Sequence, residues 1–304
     1  MQTAAIDQRS YRGRFAPTPS GPLHLGSLLT ALASWLQARS KKGAWLLRID
    51  DLDTPRNVAG AADQIQRQLE SHGLVWDEEI RWQSRHLAEY EAALGRLQAA
   101  GLLYACTCTR AQLKADGIAG PDDTVYAGTC RGRLTGPGGR RALRLRVPAA
   151  ALCFDDSGQG RVCRDLAREV GDFVVRRNDG LIAYQLACAV DEPAQRITEV
   201  MRGADLLGSS FRQLAVQQAL GLPAAHYHHL PVLTDAAGLK LSKQNHALAI
   251  EARHASRNIF RCLSLLGQDP PPAMDGAAPA ELLAWAVVRW TVDTLPKRAV
   301  LHLE

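Results

Sequence analysis

Near one end of the sequence His24, Gly26 and Ser27 stand together in Pro22-Leu23-His24-Leu25-Gly26-Ser27, and far downstream Lys240 and Lys243 flank Leu241-Ser242. Histidine and serine offer hydrogen bonds, a glycine lets backbone approach a ligand closely, and two ammonium groups neutralise anions. Joined in one place, these groups suit a triphosphate. The first set would cradle phosphate oxygens, and the lysines would balance the charge that builds on them during in-line attack on phosphorus. They read as two halves of one ATP site. Magnesium would accompany ATP with few protein ligands, since it keeps most of its own water and phosphate oxygens. A second set, Cys106, Cys108, Tyr126 and Cys130, offers three thiolates and a phenol, the donor number of a tetrahedral zinc site. The C-x-C spacing is tight and tyrosine is an unusual ligand, so three buried free thiols fit this pattern as well as zinc does.

Positioning the first set requires a helix start. The run Arg14-Phe15-Ala16-Pro17-Thr18-Pro19-Ser20-Gly21 forces a loop, after which Leu25, Leu28, Leu29, Leu32, Trp35 and Leu36 recur at helical spacing. His24 and Gly26 therefore fall at an N-terminus, where unpaired N–H groups and the helix dipole favour phosphate. The lysines lie in a polar stretch preceded by Gly238, which reads as a basic loop. Around these motifs the pattern predicts strand 11–15, helix 25–39, strand 44–50 and helices 59–72 and 86–100. Such alternation indicates an α/β, doubly wound nucleotide-binding domain. It breaks at Gly101-Leu102-Leu103-Tyr104, which divides the chain into a first catalytic half (1–104), a cysteine-bearing insert (105–180), a second half with the lysine loop (181–245) and a helical C-terminal region (246–304). In that last region an apolar stretch from 259 to 266, the break Pro270-Pro271-Pro272 and a second apolar run from 282 to 290 predict helices packed on the catalytic domain.

The 304 residues are 46% hydrophobic and 22% charged, enough for one large core with smaller units. Residues 1–14 lack the apolar core of a signal peptide and no stretch approaches about 20 apolar residues, so neither export nor a membrane span is expected and the location expected is cytoplasmic. Seven cysteines argue for thiols and metal ligands over disulfides, with Cys153, Cys163, Cys188 and Cys262 as buried side chains. The net charge of +5 is concentrated: between Arg131 and Arg177 stand eleven arginines and five acids. Such a cluster suits a phosphate backbone, although Arg144 and Arg146 also alternate with Leu143, Leu145 and Val147 as on the open face of a sheet. His226, His228 and His229 precede Leu230-Pro231-Val232-Leu233 and read as structural or RNA-facing.

The histidine turn and the lysine pair, in this order, resemble the HIGH and KMSKS signatures of the class I aminoacyl-tRNA synthetases. The likeness continues through Leu47-Arg48-Ile49-Asp50-Asp51-Leu52-Asp53-Thr54-Pro55-Arg56, Gly73-Leu74-Val75-Trp76-Asp77-Glu78 and Gln83-Ser84-Arg85, and is similar to the glutamyl branch. Within that branch the chain resembles the short glutamyl-Q tRNA(Asp) synthetase family, because only 61 residues follow Lys243, too few for a large anticodon-binding domain.

That resemblance implies a class I Rossmann catalytic domain with an inserted, zinc-containing, acceptor-binding-like domain and no anticodon-binding domain. It implies activation of glutamate by ATP without tRNA, then transfer to the queuosine base of tRNA(Asp) by a monomer. It makes His24, Gly26, Lys240 and Lys243 catalytic and gives ATP to His24, Gly26, Ser27 and Lys243. It assigns one structural zinc to Cys106, Cys108, Tyr126 and Cys130, and glutamate to Arg14, Phe15, Ala16, Pro17, Thr18, Asp50, Tyr184 and Arg202. Asp50 stands where the family more often has glutamate, and its shorter side chain would reach the substrate ammonium through a bridging water. Each of these residues also has an ordinary reading: Arg14 as an exposed loop residue, Asp50, Asp51 and Asp53 as caps or surface acids, Tyr184 as a sheet residue. Two other functions fit the same motifs, a truncated glutamyl-tRNA synthetase charging the 3′ end and a non-catalytic, zinc-containing RNA-binding paralogue.

Overall fold

The computed structural model describes residues 11–132, 141–235, 238 and 248–303. Strands β1 (Arg12–Phe15), β2 (Ala44–Ile49) and β3 (Arg81–Trp82) pair in parallel, in that order. Helix α1 (Leu25–Ser40) crosses from β1 to β2, and α2 (Ala61–Ser71) and α3 (Leu87–Ala99) follow, within two residues of where the apolar periodicity puts them. Parallel strands joined by helices are buried on both faces, and β2 accordingly runs apolar, Ala-Trp-Leu-Leu, with Arg48 as its sole charge.

The middle of the chain is built differently. Strand β4 (Leu103–Cys106) and helix α4 (Arg110–Asp116) lead to a two-stranded pair, β5 (Ile118–Ala119) and β6 (Thr124–Val125). Strand β7 (Ala142–Leu145) is central in an antiparallel sheet, with β4 on one side and β10 (Phe173–Arg176) on the other. Between β7 and β10 a hairpin of β8 (Ala151–Asp156) and β9 (Gly160–Asp165) swings back to the catalytic domain. There helix α5 (Tyr184–Ala194) precedes β11 (Glu199–Gly203), helix α6 (Leu207–Leu220) and β12 (His226–Leu230), in a sheet ordered β11-β12-β8-β9. Hydrogen bonds between Arg12 and Thr198 join β1 to the start of β11. The β8–β9 hairpin thus shares a sheet with β11 and β12.

Strand β13 (Val232–Thr234) is followed by α7 (Ala255–Leu265), α8 (Pro279–Arg289) and β14 (Val300–His302). The two helices pack on α1 as the apolar runs predict. Ile259, Cys262 and Leu263 face inward at i, i+3 and i+4 and are fully buried, each aliphatic side chain contributing about 1.5–3 kcal/mol. Trp290 Nε1 donates to Gln37 Oε1 at 2.7 Å, tying the end of α8 to α1. Three-residue β14 pairs in parallel with β13 and was not anticipated, because so short a strand carries no periodicity. Among the described residues no helix is long and apolar enough to cross a membrane.

Two expectations need correction. Cys153 and Cys163 are not buried thiols. They are exposed, directly opposed in the β8–β9 hairpin with Cα atoms 4.1 Å apart, and joined in a disulfide. Cys188 and Cys262 are buried as expected. The arginine cluster is also less available than its count implies, because acids from other elements reach it. Arg164 pairs with Asp122, Arg176 with Glu91, Arg177 with Asp53 and Asp179, and Arg131 with Asp172. Arg144 is buried over the Tyr126 ring, and Arg146 lies over Tyr104. Arg133 and Arg140 lie outside the described residues.

Candidate active site and metal centre

His24 is the N-cap of α1, its extended backbone ending the proline-rich loop. The imidazole Nδ1 accepts from the Ser27 backbone N–H at 3.3 Å, and Nε2 lies 3.1 Å from Ser27 Oγ. Gly26 makes room for that ring: a Cβ there would meet His24 Cε1 and Nδ1 at 3.2 Å. Gln68 of α2 braces the turn, accepting from Leu23 N–H and donating to Ile250 O, both at 2.8 Å. Ile250 N–H donates to Leu23 O, and Ala249 bridges His24. Lys240 and Lys243 lie outside the described residues, yet the chain on either side of them is at this turn, since Val232 and Leu233 line the same cavity as His24.

That cavity holds about 310 Å³. Of the residues assigned from the sequence, the run Arg14 to Thr18, His24, Gly26, Ser27, Tyr184 and Arg202 all line it. Tyr184 opens α5 and belongs to no strand. Asp50 is not among the lining residues. Its Oδ1 accepts from Arg48 Nε at 2.7 Å, and it is Arg48 that faces the cavity. Burial pushes the Asp50 carboxyl up to about 6 against the pull of Arg48.

Arg48 and Glu192 were missed in the sequence, and they set the electrostatics. Arg14 Nε donates to both Glu192 carboxylate oxygens at 3.0 and 3.1 Å, and Arg48 reaches Glu192 at 3.4 Å. Burial raises the Glu192 carboxyl, but Arg14 and Arg48 outweigh it and hold it ionised, below its ordinary range. Arg14 and Arg48 therefore have carboxylate partners within the protein. Arg202 differs. Its Nη1 donates to Gln213 Oε1 at 2.8 Å, Nη2 to Ser210 Oγ at 2.6 Å and Nε to His229 Nε2 at 3.2 Å. Burial pushes the His229 imidazole down, so all three partners are uncharged. Among the described residues its hydrogen bonds go only to neutral groups, with the Glu192 charge acting from farther away, and such a buried cation is suited to an incoming carboxylate, which its planar fork can take bidentately.

Some distance along the chain, the Sγ atoms of Cys106, Cys108 and Cys130 all lie within 4.8 Å of one another. Tyr126 OH is 3.6 Å from Cys106 Sγ and 3.5 Å from Cys108 Sγ, and it accepts from Cys130 N–H at 2.8 Å. The three thiols are close enough together to share one metal ion, with the Tyr126 hydroxyl beside two of them. Burial raises the Cys130 thiol, but a backbone hydrogen bond from Thr107 and side-chain bonds from Tyr126 and the other two cysteines push it down to about 6. The surrounding core is small: among the described residues Tyr104, Cys106 and Cys130 form the apolar cluster, with Cys108 and Tyr126 packed against it. A metal held there would tie β4 to the 126–130 loop.

Residues 10–267 match the family model for class I tRNA synthetases (E and Q), catalytic domain. A protein of Methylococcus capsulatus named glutamyl-Q tRNA(Asp) synthetase is 51% identical over 287 residues, covering 94% of this chain and 93% of its own length. One of the same name from Chromobacterium violaceum is 53% identical over 94% of this chain and 95% of its own. Among solved structures, a glutamate tRNA ligase from Elizabethkingia meningosepticum in complex with its amino acid superposes with a TM-score of 0.79 at 24% identity. It covers 97% of this chain and 67% of its own, and shows the shared fold.

Proposed function

The chain belongs to the class I tRNA synthetases of the glutamate and glutamine type, in the group of the glutamyl-Q tRNA(Asp) synthetases, and from that membership we propose how its residues work. It activates glutamate with ATP, without tRNA, and passes the glutamyl group to the queuosine base of tRNA(Asp), acting as a cytoplasmic monomer. The observation that carries the assignment of residues is the buried Arg202, hydrogen-bonded among the described residues only to uncharged groups, at one part of a cavity whose other part is the His24 turn.

In this reading Arg202 takes the γ-carboxylate, with Arg14 and Tyr184 beside it and the backbone of the run Phe15 to Thr18 closing the pocket. Asp50 acts on the substrate ammonium only indirectly, through bridging water or through Arg48. The α-carboxylate attacks the α-phosphorus of ATP, the bond to pyrophosphate breaks, and no proton has to be removed because the nucleophile is already ionised at neutral pH. His24 therefore serves as a hydrogen-bond donor to phosphate, with Gly26 and Ser27 at the helix N-terminus. Lys243, assisted by Lys240, neutralises the departing pyrophosphate. Magnesium would shield charge on the phosphate oxygens.

Glutamate-dependent exchange of labelled pyrophosphate into ATP, without tRNA, tests the first step. A non-catalytic RNA-binding protein would show none. Labelled glutamate should then transfer to tRNA(Asp) bearing queuosine and not to the same tRNA lacking it. Equal labelling of the two would indicate charging of the 3′ end instead.

Cys106, Cys108, Tyr126 and Cys130 would hold one structural zinc. We expect one zinc per chain by atomic absorption and none after Cys106→Ala. Loss of the metal should lower Tm by at least about 5 °C, since removing a structural site takes folding energy with it. An unchanged Tm in the zinc-free protein would remove the stapling role.

A further inference from the structure

The three histidines before β13 read from the sequence as structural or RNA-facing, and one of them is buried behind the proposed glutamate pocket. His229 has no exposed surface. Its Nε2 faces Arg202 Nε, which can only donate, so Nε2 is the acceptor and the proton sits on Nδ1. That Nδ1–H points at Asp156 Oδ2, 2.5 Å away. Asp156 in turn accepts from the backbone N–H groups of Gly158, Gln159 and His229 at 2.8–3.1 Å. Burial raises the Asp156 carboxyl and these bonds outweigh it, keeping it an anion.

The imidazole has little freedom to turn. Tyr227 lies parallel to it, 5.8 Å between centroids, and Phe154 tilts against it at 6.5 Å. The hairpin turn is pressed onto the same strand, where a Cβ on Gly158 would come within 2.4 Å of His229 O. Phe154, Asp156 and Gly158 all belong to the β8–β9 hairpin of the insert, whereas Arg202 is in β11.

We propose that Asp156 and His229 form a positioning relay which fixes the Arg202 guanidinium for the substrate carboxylate, so that the hairpin of the insert sets the affinity for glutamate. Asp156 selects the tautomer, His229 presents a lone pair to Arg202 Nε, and Ser210 and Gln213 hold the two terminal nitrogens. Among the described residues these partners account for three of the five N–H groups, one on each nitrogen, leaving one N–H on each terminal nitrogen for a carboxylate. Neither Asp156 nor His229 touches the substrate. The inference rests on Arg202 as the glutamate grip.

The test compares His229→Asn, His229→Gln and Arg202→Lys in pyrophosphate exchange, with Tm checked for each. Asparagine can keep a donor to Asp156 but is too short to reach Arg202, and should raise KM for glutamate about tenfold, the effect of one hydrogen bond to a charged group, with KM for ATP unchanged. Glutamine can place its carbonyl oxygen near the former Nε2 and should recover most of the affinity. A merely structural histidine would give the two variants parallel losses in both substrates. If Arg202→Lys leaves KM for glutamate unchanged, the reading of the pocket fails and the relay with it. If Arg202→Lys raises that KM and His229→Asn does not, only the relay fails. Nitrogen-15 NMR of the unaltered protein decides even where a variant does not fold: His229 should be neutral and protonated on Nδ1 at pH 7, and either other protonation state overturns the proposal.

Discussion

With leucine in place of Arg202, kcat/KM for glutamate falls by at least about 10²-fold, because a buried carboxylate left without its partner costs about 3–5 kcal/mol. KM for ATP stays near its original value, since the nucleotide meets the other part of the cavity. The reason to expect so large an effect lies in the neighbours. Arg14 and Arg48 already have Glu192 and Asp50, whereas among the described residues Arg202 makes no ion pair and is held by Ser210, Gln213, His229 and the face of the Tyr227 ring. The remaining described cation that lines the pocket, Arg56, is paired with Asp53 at 2.6 Å. Steady-state exchange kinetics over a range of glutamate concentrations measure the loss, and a change below threefold would move the carboxylate site elsewhere.

Lys243→Ala should lower kcat of exchange by at least about 10²-fold, the scale on which removing a transition-state charge donor acts. KM for glutamate should hardly move, because the charge that Lys243 meets develops on phosphate oxygens only as pyrophosphate leaves. The placement that motivates this is indirect but specific. The chain enters the lysine segment from β13, whose Leu233 lines the cavity, and returns at Ala249, which bridges His24. Exchange at the wild-type rate would take Lys243 out of the mechanism.

Much of this arrangement could be read from local pattern. The loop-to-helix switch at Pro22–Gly26 and the apolar repeats of α1, α2, α3, α7 and α8 are properties of neighbouring residues, and the structure follows them closely. The relay and the carboxylate network were not readable, for a physical reason. Arg48 meets Glu192 across 144 positions and Asp156 meets His229 across 73, so neither partner leaves a mark near the other. Arg48 sits inside an apolar strand, where its burial is the only hint of a partner. Cys153 and Cys163 are a different case. They are equidistant from Gly158, so a hairpin turning at Ser157-Gly158-Gln159 puts them opposite each other, and that symmetry was available in the sequence.

The pairing of β14 with β13 has a bearing on when the enzyme becomes competent. Val232 N–H donates to Ala299 O, Leu303 N–H to Thr234 O, and Thr234 Oγ1 lies 2.8 Å from His302 Nδ1. The strand that introduces the lysine segment thus lacks its companion until synthesis has passed residue 303. A ribosome that has translated only as far as α8 would carry a nascent chain with the proposed glutamate-binding residues already made and β13 still without its partner strand, so adenylate formation should switch on only after β14 has been added.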